Sequence, residues 1–127
     1  MHIWVLFTFR KLWENLADQY LQQRGLDWAR VVAKCKAFEN ARDEEIADQI
    51  QKDLHRTGCT GFTGAEQAVL KRVLVAYAKW NPSVGYCQGF NMIGAMLLQM
   101  TGEDELLTLK IFVFLIEGIL PQGYFSQ

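Results

Sequence analysis

The chain has 127 residues, 50% of them hydrophobic and 21% charged, and a formal net charge of −1 at pH 7. This length suits one domain, and this composition suits a folded globular chain. The near-neutral charge argues against a nucleic-acid-binding protein with a basic surface. Its cysteines, Cys35, Cys59 and Cys87, form no CxxC pair. We therefore expect neither a disulfide framework nor a metal site, and we favour a reducing, cytosolic compartment.

The chain opens on an apolar run over residues 1–9, which Arg10 and Lys11 end. The run is far shorter than the ~20 residues of a membrane-spanning helix. It also lacks the basic start and the small-residue cleavage site of a signal peptide. We expect it to be buried as the start of the first helix. An exposed hydrophobic arm is the alternative.

Apolar residues recur at helical spacing almost throughout the chain, and no stretch alternates with period two. The pattern predicts an all-α fold without repeats or low-complexity segments. The predicted buried stripes are Phe9, Trp13, Leu16, Ala17, Tyr20 and Leu21; then Trp28, Val31, Val32 and Cys35; then Ile46, Ala47, Ile50 and Leu54; and then Val69, Leu70, Val73, Leu74, Tyr77 and Trp80.

Breaker residues and charges predict where these helices begin and end. Arg24-Gly25 should end the first helix, and Asn81-Pro82 should end the fourth. The acidic run over residues 43–45 suits the start of the third helix. Two mostly apolar helices should follow, around 91–100 and over 104–120.

Three glycines, at 58, 61 and 64, predict a flexible loop after the third helix. A phosphate-binding P-loop also needs a lysine and a preceding strand, and neither is found here. We therefore do not expect this chain to bind a nucleotide by itself.

Asp53 and Arg56 lie three residues apart near the predicted end of the third helix. They share a helix face, so Asp53 can orient the guanidinium through a charge-assisted hydrogen bond. Thr57 follows and can bond the loop backbone. Taken alone, the pair is more simply an ordinary surface ion pair.

Tyr86, Cys87, Gln88 and Gly89 come after a predicted turn and before an apolar helix. Gln88 can therefore project from a loop, and its amide both donates and accepts hydrogen bonds, as orienting a water molecule requires. Gly89 permits an unusual turn or the close approach of a partner. Taken alone, Gln88 is more simply a helix-capping residue beside a buried tyrosine. Cys87 has no histidine positioned by the sequence to activate it as a nucleophile.

Together, residues 50–57 and 86–91 resemble the two signature motifs of the TBC domain, I-x-x-D-x-x-R and Y-x-Q-G-x-N. Trp13 after Arg10-Lys11, the segment 80–86, and the segments 120–121 and 123–125 are similar to other elements of the family. The resemblance runs from about residue 10 to the last residue. His55 and Phe90 stand where many members have proline and methionine, and neither replaces a motif arginine or glutamine.

The resemblance implies an irregular, orthogonal array of helices that forms the N-terminal half of a TBC domain. This partial domain would span residues 10–127, with residues 1–9 as an apolar segment that need not be native. Helices of the second half would normally cover apolar faces such as residues 111–116. We expect these faces to be exposed here, and the chain to be a weak or inactive activator.

The implied function is that of a GTPase-activating protein for a GTP-bound Rab-family GTPase. Arg56 would be an arginine finger and Gln88 a glutamine finger, both supplied in trans. Asp53 would support Arg56, while the remaining motif residues would shape the site: Ile50, Thr57, Tyr86, Gly89 and Asn91.

GTP and Mg²⁺ would belong to the Rab, and the chain would have no cofactor of its own. It would be cytoplasmic and would meet endomembranes through its partner. The alternative is a non-catalytic helical TBC-like module that binds a Rab or another partner without activating it.

Overall fold

The computed structural model describes residues 3–36, 40–56 and 64–120, and for Ile3, Trp4, Leu6 and Arg56 it describes the backbone alone. These residues form helices joined by turns and contain no strand, which confirms the all-α prediction. The elements are α1 (Ile3–Gln23), α2 (Trp28–Cys35), α3 (Ala41–Arg56), α4 (Gly64–Trp80), α5 (Phe90–Met100), α6 (Glu105–Phe114) and a π-helix (Leu115–Ile119). The predicted loop over residues 57–63 lies outside the described residues.

The end of α1 is closed by a Schellman motif, as the Arg24-Gly25 pair predicted. The Leu26 N–H donates to the Leu21 carbonyl at 2.8 Å, and the Gly25 N–H donates to the Gln22 carbonyl at 3.1 Å. Gly25 has a φ of +67°, a conformation that glycine adopts without a steric penalty.

The start of α3 is fixed by a reciprocal cap between Asn40 and Asp43. The Asp43 N–H donates to Asn40 Oδ1 at 3.0 Å, and the Asn40 N–H donates to Asp43 Oδ2 at 3.2 Å. This capping box places the helix start at Ala41, two residues before the predicted acidic start. Asp43 also pairs with Lys79 at 3.7 Å, which holds the start of α3 against the end of α4.

Helices α4 and α6 form the centre of the fold. Helix α4 packs against α2, α3, α5 and α6, while α6 also packs against α1 and α5. Tyr77, Phe90 and Phe112 meet edge to face where α4, α5 and α6 converge, with ring centroids 5.0–6.0 Å apart. All three are at most 1% exposed, so this cluster is the middle of the core. Because Phe90 opens α5, the cluster also fixes where that helix begins.

The expectation that residues 111–116 expose an apolar face is wrong. Ile111, Phe112 and Val113 are 0% exposed and Ile116 is 6% exposed. The reason is that α6 is enclosed by α1, α4 and α5 within the described part of the chain. The prediction of one continuous α-helix over 104–120 is also corrected. The α-helix ends at Phe114, and a π-helix continues from Leu115 to Ile119.

The apolar run at the start of the chain belongs to α1, as expected, but its expected burial is wrong for the side chains that are described. Val5, Phe7 and Phe9 are 41–53% exposed. Phe9 and Leu16 were also assigned to the buried stripe of α1, yet both are at least 36% exposed. The other four members of the predicted stripe, Trp13, Ala17, Tyr20 and Leu21, are buried or pack against the core, which confirms that part of the prediction.

The described helices were also compared with the requirements of a membrane span. Across the residues described here, no helix is both long enough and apolar enough to cross a bilayer.

Candidate functional site

The first motif occupies the last two turns of α3. Ile50 is 0% exposed and anchors the helix in the core, and Asp53 is buried one turn later. Arg56 is the final residue of α3, as predicted. The structure describes neither the side chain of Arg56 nor Thr57. The contact between Arg56 and Asp53 therefore stays a prediction.

The second motif forms the short connection into α5. Gly89 is the N-cap residue, with a φ of +101°, and no side chain caps the helix there. The Phe90 N–H donates to the Cys87 carbonyl at 3.0 Å, which closes a tight turn around Gln88 and Gly89. Gln88 is exposed and does not occupy the N-cap position, so the simple capping role does not describe its geometry.

A hydrogen bond between Tyr86 and Asp53 joins the two motifs. The Tyr86 hydroxyl donates to Asp53 Oδ2 at 2.7 Å, across 33 residues of sequence. This is a charge-assisted bond between an O–H and a buried carboxylate, the stronger kind of protein hydrogen bond. The bond ties the segment that carries Gln88 to the last turns of the helix that ends at Arg56.

The remaining motif residues give the second segment its shape. Asn91 is 1% exposed in the first turn of α5, so it faces the protein rather than a partner. Tyr86 stacks edge to face on Phe90 with centroids 6.2 Å apart. A positive φ such as that of Gly89 is strained for a residue with a Cβ atom. The turn therefore needs glycine for its backbone, whether or not a partner approaches it.

Cys87 has the properties of a structural thiol. Its Sγ donates to the Val84 carbonyl at 3.7 Å. Burial raises the pKa of the Cys87 thiol, which disfavours the thiolate that a nucleophile needs.

A chain of polar side chains runs along α3 toward Arg56. Lys71 on α4 donates from Nζ to Gln51 Oε1 at 3.3 Å, and Gln51 Nε2 lies 3.1 Å from His55 Nε2. The Lys71–Gln51 contact links α4 to α3 next to the first motif, and the Gln51–His55 contact lies within α3. His55, which departs from the family pattern, is exposed and engaged with Gln51 in this way.

A large cavity in the described part of the chain contains no residue of either predicted motif site in its lining. It has a volume of about 610 Å³ and lies between α2, α3, α4 and α6. Among the described residues, no three His, Cys, Asp or Glu side chains come together as a metal site would require.

Two polar residues near the second motif have side-chain contacts that the sequence does not predict. Asn81 is predicted to end α4 and to belong to the turn before Tyr86, as asparagine before proline often does, but the partners of its side chain are not. Glu117 on the π-helix gave no sequence signal at all. Asn81 begins the turn that leads to Tyr86 and Gln88. Glu117 contacts Asn81 from the π-helix, 36 residues further along the sequence.

Comparison with known proteins gives a consistent result. The model of the Rab-GTPase-TBC domain matches residues 2–127. TBC1 domain family member 30 of Mus musculus and of Homo sapiens are each 46% identical over 121 residues, or 91% of this chain. TBC1 domain family member 2A of Rattus norvegicus is 36% identical over 114 residues, or 86% of this chain and 12% of that protein.

The chain spans only a small part of these relatives, 16% of the mouse member 30 and 13% of the human one. No solved structure matches the chain.

Proposed function

Because the chain belongs to the Rab-GTPase-TBC domain family, we propose that it is a GTPase-activating protein for a Rab-family GTPase. Its partner would be the GTP-bound Rab, which carries the nucleotide and Mg²⁺. The chain itself would perform no chemistry alone and would supply two side chains in trans. It would act in the cytoplasm and meet endomembranes, and so vesicle traffic, through the Rab.

Arg56 would neutralise the charge that develops on the transferring phosphoryl group. A guanidinium suits this role because it is always charged and binds phosphate oxygens with two parallel hydrogen bonds. An arginine finger is worth about 10³–10⁵ in rate, or roughly 4–7 kcal/mol of barrier. Gln88 would orient the attacking water, using the NH2 of its side-chain amide to donate and the carbonyl oxygen to accept.

The observation that carries this proposal is the 2.7 Å bond from Tyr86 to Asp53. Catalysis by two fingers requires both to reach one nucleotide, so their backbones must be held at a set separation. The bond joins the helix that ends at Arg56 to the segment of Gln88, and Gln88 is exposed there. A partner can therefore meet both segments on one surface.

Single-turnover GTP hydrolysis tests the proposal. A panel of GTP-loaded Rabs is mixed with the chain or with its Arg56→Ala or Gln88→Ala variant, and Rab binding is measured separately. We expect one or more Rabs to be accelerated, even if the chain is a weak activator, and each variant to lose most of that acceleration while it keeps much of the binding. Arg30→Ala and Gln99→Ala are matched controls, because both side chains are exposed on other parts of the described surface.

The alternative function gives a different result in the same assay. A non-catalytic module would bind a Rab without accelerating it, and neither variant would change the hydrolysis rate. Acceleration that survives Arg56→Ala and Gln88→Ala would contradict the two-finger mechanism. Equal losses in the Arg30→Ala and Gln99→Ala controls would show that the effect is not specific to the fingers.

A further inference from the structure

The π-helix brings a carboxylate to the turn that precedes the second motif. Asn81 Nδ2 lies 3.4 Å from Glu117 Oε2 and 3.2 Å from the Tyr77 hydroxyl oxygen. Asn81 Nδ2 thus bridges the hydroxyl of Tyr77 and the carboxylate of Glu117, between the end of α4 and the π-helix.

Asn81 in turn organises the whole turn that follows α4. Its carbonyl accepts from the N–H groups of Val84 and Gly85, at 3.2 and 2.8 Å. Its Oδ1 accepts from Ser83 Oγ at 2.8 Å and from the Val84 N–H at 3.4 Å. The side-chain amide therefore has two separate tasks, because Oδ1 shapes the turn and Nδ2 fastens it to Glu117 and Tyr77.

Glu117 lies on the π-helix between two neighbours that are held in place. Gly118 lies against the Tyr20 ring, where a Cβ atom would be 2.9 Å from Cδ1. Helix α1 thus constrains one side of the π-helix, while Ile116 is buried in the core. Single π-turns within helices occur frequently at functional sites. Here the turn carries the one acidic residue of the segment to the edge of the aromatic cluster.

We propose that Glu117 is a positioning residue, which holds Asn81 and thereby sets the conformation of the turn over residues 81–85 and the place of Gln88. The segment is then fastened at both ends, by Glu117 at Asn81 and by Asp53 at Tyr86. Gln88 lies two residues beyond the second anchor. This inference rests on the proposed role of Gln88, but its effect on the turn can be measured without a Rab.

Asn81 donates the hydrogen bond to Glu117, and a pair of substitutions can exchange the donor and the acceptor between the two positions. Asn81→Asp keeps an oxygen for Ser83 and Val84 but removes the Nδ2 donor and places a second carboxylate against Glu117. Adding Glu117→Gln to that variant restores one donor and one acceptor across the contact. Glu117→Ala removes the acceptor altogether, whereas Glu117→Gln alone retains one. Glu105→Gln, at an exposed ion pair with Arg72 on another surface, is the matched control.

Cys87 reports on the turn directly, because its thiol bonds to the Val84 carbonyl inside it. Cys35 and Cys59 are replaced by alanine, so that Cys87 is the remaining thiol. The rate at which Cys87 reacts with N-ethylmaleimide is then measured. Urea titration identifies conditions under which each variant is folded. We expect up to about tenfold faster reaction for Asn81→Asp and Glu117→Ala, the size of effect that loss of one partly buried hydrogen bond produces. The double variant and Glu105→Gln should react close to the parent rate.

Two further readouts address Gln88 itself. The Phe90 amide, which closes the turn around Gln88, should exchange its hydrogen faster in Asn81→Asp and Glu117→Ala and recover in the double variant. With a Rab that the parent chain accelerates, the same two variants should lower kcat more than they raise KM, and the double variant should recover kcat.

Equal Cys87 rates in the Asn81→Asp and double variants would overturn the proposal. So would altered Cys87 reactivity with an unchanged Phe90 amide, because the turn would then move without moving Gln88. If the parent chain accelerates no Rab, the proposed function fails, and the cysteine and amide measurements still decide whether Glu117 holds the segment.

Discussion

Gly94 on α5 lies so close to Leu70 on α4 that a Cβ atom on the glycine would be 2.7 Å from Leu70 Cδ1. A separation this short cannot be tolerated without movement, and Leu70 is itself 0% exposed. The contact therefore sets the distance between α4 and α5. Since α5 begins at Phe90, the same contact places the end of the segment that carries Gln88.

Gly94→Ala should destabilise the protein by about 1–3 kcal/mol, because the new methyl group must displace a buried leucine or separate the helices. The free energy of unfolding in urea measures this. Gly64→Ala is the matched control, because nothing lies within 4 Å of its Cβ position. That substitution, at the first residue of α4, should leave stability unchanged or slightly higher. Equal effects of the two would contradict the packing argument.

Tyr86→Phe should lower the free energy of unfolding by about 1–3 kcal/mol, because Asp53 loses a hydrogen bond and remains buried. It should also reduce Rab activation where the parent chain shows it, since a hydrogen bond that joins the two motif segments is lost. Tyr20→Phe removes the same hydroxyl from a partly exposed position on α1 and should have little effect on either. A Tyr86→Phe protein with parental stability and activity would show that the bond to Asp53 does not matter.

Phe112→Ala should be among the most destabilising single substitutions, at about 3–5 kcal/mol. Its ring is 0% exposed and contacts the rings of both Tyr77 and Phe90. Thermal and urea unfolding would measure the loss. Leu106→Ala, on the same helix but 44% exposed, should cost much less. Similar losses would mean that Phe112 is not at the centre of the core.

Stability should fall at alkaline pH in part through Cys35. Burial raises the pKa of the Cys35 thiol from 9.0 to about 11. The folded state therefore holds this proton more tightly than the unfolded chain does, so its contribution is complete below pH 9 and is lost as the pH rises toward 11. Unfolding in urea between pH 8 and pH 10.5 should show a shallower decline for Cys35→Ala than for the parent. Parallel pH profiles would contradict this assignment.

The positions of the helices were determined largely by the sequence itself. The signals are the helical periodicity and the stops at Arg24-Gly25 and Asn81-Pro82, and each depends on residues within one or two turns of each other. Helices α1, α2, α4 and α5 begin or end close to where these signals predict. The paired motifs also identified the segments that Tyr86 and Asp53 join. A local pattern can be read from one sequence because its interactions are themselves local.

The tertiary structure decided which apolar faces are buried and how the two motifs meet. Phe9 and Leu16 have the helical spacing of core residues, yet α5 and α6 pack on a neighbouring side of α1. Residues 111–116 are covered because α6 passes between three other helices. The Tyr86–Asp53 and Asn81–Glu117 contacts cross 33 and 36 residues. Such contacts depend on how the helices are arranged in space, and the spacing of residues along one chain carries no record of that arrangement.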